Sequence, residues 1–167
     1  AVGSAAALCR ALRQMGKSAG VWKNPETTER YLPYLAGLET ETVLAEATLV
    51  SVDLATENLL PLNGLGFAGR IQASIDHHIS NKLYAKETYL CPDDGAAALS
   101  LFRVFRTLGI PVDKPMADAL YTGLSTDTGC FRYSNANAEA YRAAADLIDL
   151  GADNARINVE MFETKPL

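Results

Sequence analysis

Asp76, His77 and His78 follow one another in "SIDHHISN", and these two histidines are the only ones in the chain. Two further acids, Asp53 at the end of "VSVD" and Asp127 within "STDTG", complete a set of carboxylates and imidazoles. Neutral imidazole with carboxylate suits a mid-series divalent ion such as Mn²⁺, Fe²⁺ or Co²⁺, whereas an all-oxygen set would suit Mg²⁺. A carboxylate bridging two such ions, about 3.5 to 4 Å apart, could bind a phosphoryl oxygen and activate water against phosphorus. Taken singly, the residues say less. An aspartate at a strand end reads first as a cap or turn residue, paired histidines on a loop divide evenly between solvated groups and ligands, and "STDTG" is a common turn composition.

The elements that must position these residues can be read from periodicity. "ATLVSVD" predicts a buried strand over Thr48 to Val52 that stops at Asp53, and "IQASID" a second one stopping at Asp76. "AVGSAAALCRALRQMGK" predicts an opening helix with Ala7, Leu8, Leu12 and Met15 near one face and Gly16 close to its end. A short strand is expected in "SAGVW" and a helical or irregular stretch through Arg30 and Tyr34. "DDGAAALSLFRVFRTLG" predicts a helix with an acidic start, closed by Gly109. "MADALYTGLSTDTG" predicts another that ends in a turn at Thr126 to Gly129, and Asn135 or Asn137 caps a last one that closes at Gly151. Strands alternating with helices imply an α/β fold, a mostly parallel sheet flanked by helices in three layers. Ligands of such sheets sit beyond the carboxyl ends of the strands, where Asp53 and Asp76 fall.

Composition narrows the chemistry. A chain of 167 residues is about one domain, with core enough to fold without disulfides. Its net charge of -5 argues against a long duplex nucleic acid as partner, since that needs a basic face. The odd set of Cys9, Cys91 and Cys130 reads as reduced packing thiols, and with no signal peptide or bilayer-length apolar run the expected location is cytoplasmic.

In order along the chain, "VSVD", "SIDHHISN" and "LYTGLSTDTGCFRYSN" resemble the motifs of the DHH phosphoesterase family, and the likeness runs over essentially the whole sequence. The last of these is most similar to the branch of oligoribonucleases, 3'-phosphoadenosine 5'-phosphate (pAp) phosphatases and cyclic dinucleotide phosphodiesterases. The resemblance implies two Mn²⁺ ions, with Asp53 bridging them and His77 and Asp127 as ligands of the second. It implies that His78 faces the scissile phosphate and that Asp76 orients a ligand histidine. Arg132 is a candidate phosphate contact, and Asn81 and Lys82 are weaker ones.

The family's first motif, His-x-x-Pro-Asp-x-Asp, would lie before Ala1, so residues 1–160 are expected to form an N-terminally incomplete catalytic domain that binds metal poorly. Residues 161–167 are expected to begin a linker to a smaller domain that reads nucleotide. The implied substrates are short RNA or small nucleotides, including pAp, with a cyclic dinucleotide phosphodiesterase or a non-catalytic nucleotide-binding domain as alternatives. A homodimer is suggested by family analogy alone.

Overall fold

The computed structural model describes residues 1–163. Its strands are all parallel but fall into two sheets. β1 (Val21–Trp22) pairs with β2 (Glu39–Thr40), and β3 (Val50–Val52), β4 (Ala73–Asp76) and β5 (Glu87–Leu90) form a separate sheet in that order. β3 runs beside β4 with Val50 opposite Ala73 and Val52 opposite Ile75, which brings the carboxyl ends of both strands level. The mixed α/β class with parallel pairing is as the sequence implies. β2 and β5 carry charged, half-exposed residues and give no apolar run, so periodicity did not reveal them.

Helices α1 (Val2–Gln14), α3 (Ala97–Leu108), α4 (Lys114–Asp127) and α5 (Ala138–Asp149) build the core, with short α2 (Leu32–Leu35) and α6 (Asn154–Asn158) at its margins. α4 lies at the centre, every residue from Met116 to Ser125 being buried. Asp113 caps it by accepting from the Met116 amide at 2.9 Å, and the hydroxyls of Thr122 and Thr126 bond back to the carbonyls of Asp118 and Thr122, so its polar residues are satisfied without leaving the core.

α1 packs most extensively on α4, and the expected face is right only in part: Ala7 is in the core and Leu8 packs against it, but Met15 is not on it. The buried side is the small-residue one, Gly3, Ser4, Ala6, Ala7, Cys9 and Ala11, while Met15 is exposed. The reason is the close approach of the two backbones. A Cβ on Gly3 would sit 2.1 Å from the Ala119 carbonyl oxygen, so large residues cannot occupy that side.

The acidic start expected for α3 is also corrected: its first turn holds no acid, and Asp94 instead folds onto the helix side to meet Ser100 and Arg103. α4 continues through Asp127, so the turn placed at Thr126 begins one to two residues later, and Asn137, not Asn135, caps α5. Cys9, Cys91 and Cys130 are free thiols. Of the expected linker, 161–163 belong to a π-helical turn with Met161 buried, and 164–167 lie outside the described residues. No helix among the described residues is long and apolar enough to cross a membrane.

Candidate metal centre

Asp53, His77 and His78 come together beyond the carboxyl ends of β3 and β4, each offering a ligand atom within 4.8 Å of the others'. Asp53 reaches this place through a left-handed backbone. Its φ is 61°, a region that short polar residues tolerate best, and its amide still donates to the Ile75 carbonyl at 2.8 Å. The chain is thereby turned out of the sheet at the residue whose carboxylate faces the histidines.

His77 Nδ1 lies 3.0 Å from the Asp94 main-chain carbonyl. A carbonyl only accepts, so Nδ1 carries the proton and donates. Nε2 is then directed at Asp53 Oδ1, 3.3 Å away, and at Asp127 Oδ2, 3.9 Å away. Neither of these two buried carboxylate oxygens accepts a hydrogen bond from the described residues. A neutral Nε2 lone pair facing two carboxylates is repulsive. A proton or a metal ion relieves it.

The electrostatics follow from that conflict. Burial pulls the His77 pKa down, but contact with Asp53, the Asp94 carbonyl and the charges of Asp53 and Asp127 outweigh it and raise it from 6.5 to about 8. Burial and the neighbouring Asp53 charge push Asp127 up to about 6, against the opposing pull of both histidines. Asp53 goes the other way: burial raises it, yet contact with His77 holds it well below the usual carboxylate range. Asp127 stands outside the group of Asp53, His77 and His78 and approaches it only through His77 Nε2, 3.9 Å from its Oδ2, yet imidazole nitrogen with unpartnered carboxylate oxygens is a donor chemistry that fits a divalent transition ion.

Asp76 does not touch His77. Fully buried, it accepts from His78 Nδ1 at 2.7 Å through Oδ1 and from Asn81 Nδ2 at 2.6 Å through Oδ2. The pair fixes the His78 ring, whose side chain is 41% exposed and so open to a substrate. Asn81, a weak candidate from sequence, is therefore the residue that holds Asp76, and Lys82 is exposed, with its main chain tied to the Ala55 carbonyl.

After Asp127, Gly129, Cys130 and Phe131 all adopt positive φ, and a Cβ at Gly129 would strike the Tyr133 ring at 2.4 Å. This coil carries Arg132, which is exposed, donates from Nε to the Gly129 carbonyl at 2.8 Å and lies over the Phe162 ring. Arg132 makes no contact with the histidine cluster. A cleft of about 250 Å³ beside Asp127 is lined by Tyr31, Thr122 and Thr126 among others. A larger groove of about 670 Å³ between α3 and α5 shares no residue with the cluster.

Asp94 was missed from sequence, where it read only as the acidic start of α3. Nothing in the local composition signals that its carbonyl, 17 residues along the chain, meets His77.

No family model matches the chain. It is 31% identical over 159 residues to the bifunctional oligoribonuclease and PAP phosphatase NrnA of Thermus thermophilus, which spans 94% of this chain and 48% of that protein. An uncharacterized protein of Methanocaldococcus jannaschii is 30% identical over 119 residues, 67% of this chain and 24% of that protein. The chain thus spans half or less of the length of the curated relatives it matches. An exopolyphosphatase-related protein from Bacteroides fragilis, solved by crystallography, has a TM-score of 0.76 at 23% identity, over 99% of this chain and 53% of that one, a likeness of fold. With Asp76, His77 and His78 in sequence at the end of β4 and a relative that spans almost all of its residues, the chain belongs to the DHH phosphoesterase family.

Proposed function

We propose that this chain is the metal-binding part of a Mn²⁺-dependent phosphoesterase that hydrolyses short oligoribonucleotides, 3',5'-bisphosphorylated nucleosides such as pAp, or both. The observation that carries the reading is that Asp53 Oδ1 and Asp127 Oδ2 each approach His77 Nε2, at 3.3 and 3.9 Å, both oxygens being buried without a hydrogen-bond donor among the described residues. Asp53, His77 and Asp127 would hold the metal. When bound, a divalent ion supplies Lewis-acid polarisation of a phosphoryl oxygen and a charge that makes water easier to deprotonate.

The chain's own residues do the rest. His78, steadied by Asp76, presents an imidazole that hydrogen-bonds a phosphoryl oxygen and stabilises the charge that grows there. Arg132 receives a substrate phosphate at the rim, its guanidinium fixed in place by the Gly129 carbonyl. The relative from Thermus thermophilus, named as an oligoribonuclease and PAP phosphatase, supports this substrate class over pyrophosphate.

The test is Mn²⁺-dependent turnover by the complete protein on a diribonucleotide, pAp, cyclic di-AMP and pyrophosphate, with His77→Ala alongside. Cleavage of the first two that disappears in His77→Ala is expected. Equal turnover by the variant, or pyrophosphate as the preferred substrate, would refute the proposal.

A further inference from the structure

Beyond the metal-facing groups, the loop between β5 and α3 is held in an unusual way. Three consecutive main-chain carbonyls, those of Asp93, Asp94 and Gly95, each accept a hydrogen bond from a side chain: Asn137 Nδ2 at 2.9 Å, His77 Nδ1 at 3.0 Å and Asn135 Nδ2 at 3.0 Å. Asn135 Nδ2 also reaches the Asp127 carbonyl at 3.2 Å, so the loop that meets His77 is tied to the helix end that carries Asp127. Gly95 is required there, because a Cβ would lie 2.5 Å from the Asn135 carbonyl oxygen.

The middle residue of the three is clamped from its other end. The Asp94 side chain is 6% exposed, with Oδ2 accepting from Ser100 Oγ at 2.7 Å and Oδ1 from the Arg103 guanidinium at 2.5 Å. Both donors stand on α3, a helix packed into the core through Leu101 and Phe105. A buried carboxylate held by a hydroxyl and a charged donor has little freedom, and its own carbonyl, three bonds from its Cβ, shares that constraint.

We propose that Asp94 is a positioning residue for His77: its carboxylate, clamped by Ser100 and Arg103, fixes its main-chain carbonyl so that His77 Nδ1 donates to it and Nε2 is presented to Asp53 and Asp127. The inference deepens the metal-site reading and rests on it. Partners that orient a metal-ligating imidazole through its second nitrogen typically contribute about ten- to a hundredfold to metal affinity. Arg103 acts one step further out. It bonds the Asp94 carboxylate and none of the metal-facing groups, and its 47% exposed side chain can be shortened without opening the core.

The experiment measures Mn²⁺ affinity by calorimetry and, in the metal-free state at about pH 9.5 where the ring carries a single proton, the ¹⁵N resonances of His77, for the complete protein and its Asp94→Ala, Arg103→Ala, Arg103→Lys, Arg106→Ala and His77→Ala variants. Arg106 is the control, a surface residue of the same helix paired with Asp146. Expected are about tenfold weaker Mn²⁺ binding in Asp94→Ala and Arg103→Ala and a shift of their His77 signals away from the Nδ1-protonated tautomer. Arg103→Lys, which keeps one charged donor for Oδ1, should restore both, and Arg106→Ala should match wild type.

Wild-type affinity and unmoved His77 resonances in Asp94→Ala and Arg103→Ala, with binding lost in His77→Ala, would overturn the positioning role alone. An equal loss in Arg106→Ala would overturn it too, as a general effect of α3. Unchanged Mn²⁺ binding in His77→Ala would instead overturn the metal-site reading, while the ring resonances still report whether Asp94 sets the tautomer.

Discussion

Raising the pH of the metal-free chain from about 6 to about 9 should remove a defined part of its stability through His77. The folded protein holds the His77 proton more tightly than the unfolded chain, with a pKa of about 8 against 6.5. That rise, at about 1.4 kcal/mol per pH unit, is worth about 2 kcal/mol. It is fully present below pH 6.5, declines as pH rises and is gone once pH has passed through about 8. Asp53 titrates below this range, and Asp127, at about 6, gives up its proton at the lower end of it in both proteins compared below.

The assay is urea unfolding in chelator at intervals between those limits, comparing wild type with His77→Gln, whose amide can still donate to the Asp94 carbonyl but cannot carry a charge. The stability difference between the two should shrink by about 2 kcal/mol across the range. Saturating Mn²⁺ should reverse the trend, because a ligand imidazole must give up its Nε2 proton and binding therefore strengthens up to pH 8. A difference that stays flat in chelator would refute the argument that Nε2 is protonated to relieve two facing carboxylates.

Asp76→Ala leaves His78 Nδ1 and the Asn81 amide without their acceptor in a fully buried position, and should cost about 2 to 4 kcal/mol in urea unfolding. Gly3→Ala drives a methyl into the Ala119 carbonyl and should lower stability by about 1 to 3 kcal/mol, read as a lower Tm in calorimetry, with the α1 to α4 spacing widened. If Arg132 receives a substrate phosphate as proposed, Arg132→Ala is expected to raise KM for pAp with little change in kcat, since the guanidinium contacts the Gly129 carbonyl and the Phe162 ring and not the histidine cluster; steady-state kinetics on the complete protein reads the split.

The residue types of the site were legible in the sequence because they are scarce: two histidines, adjacent to an acid at a strand end, have few places to be. The helices were legible for a different reason. α3 and α4 show apolar spacing and recognisable ends, whereas β2 and β5 are short strands held by pairing and not by apolar residues of their own. The face of α1 was misread at Met15 because sequence periodicity weighs large apolar residues, while the helix is seated at Gly3 by a contact too close for them.

What the sequence by itself determined is the chemistry: which donors exist, that they flank strand ends, and that the chain is acidic and α/β. The tertiary structure alone decided which nitrogen of His77 faces the carboxylates. That choice belongs to the Asp94 carbonyl, a backbone group every residue type possesses, brought to the ring by a carboxylate reaching back onto α3. It likewise decided that Asp76 serves His78 and not His77, since adjacent residues after a strand point to different sides and only the packed neighbours select the partner of each.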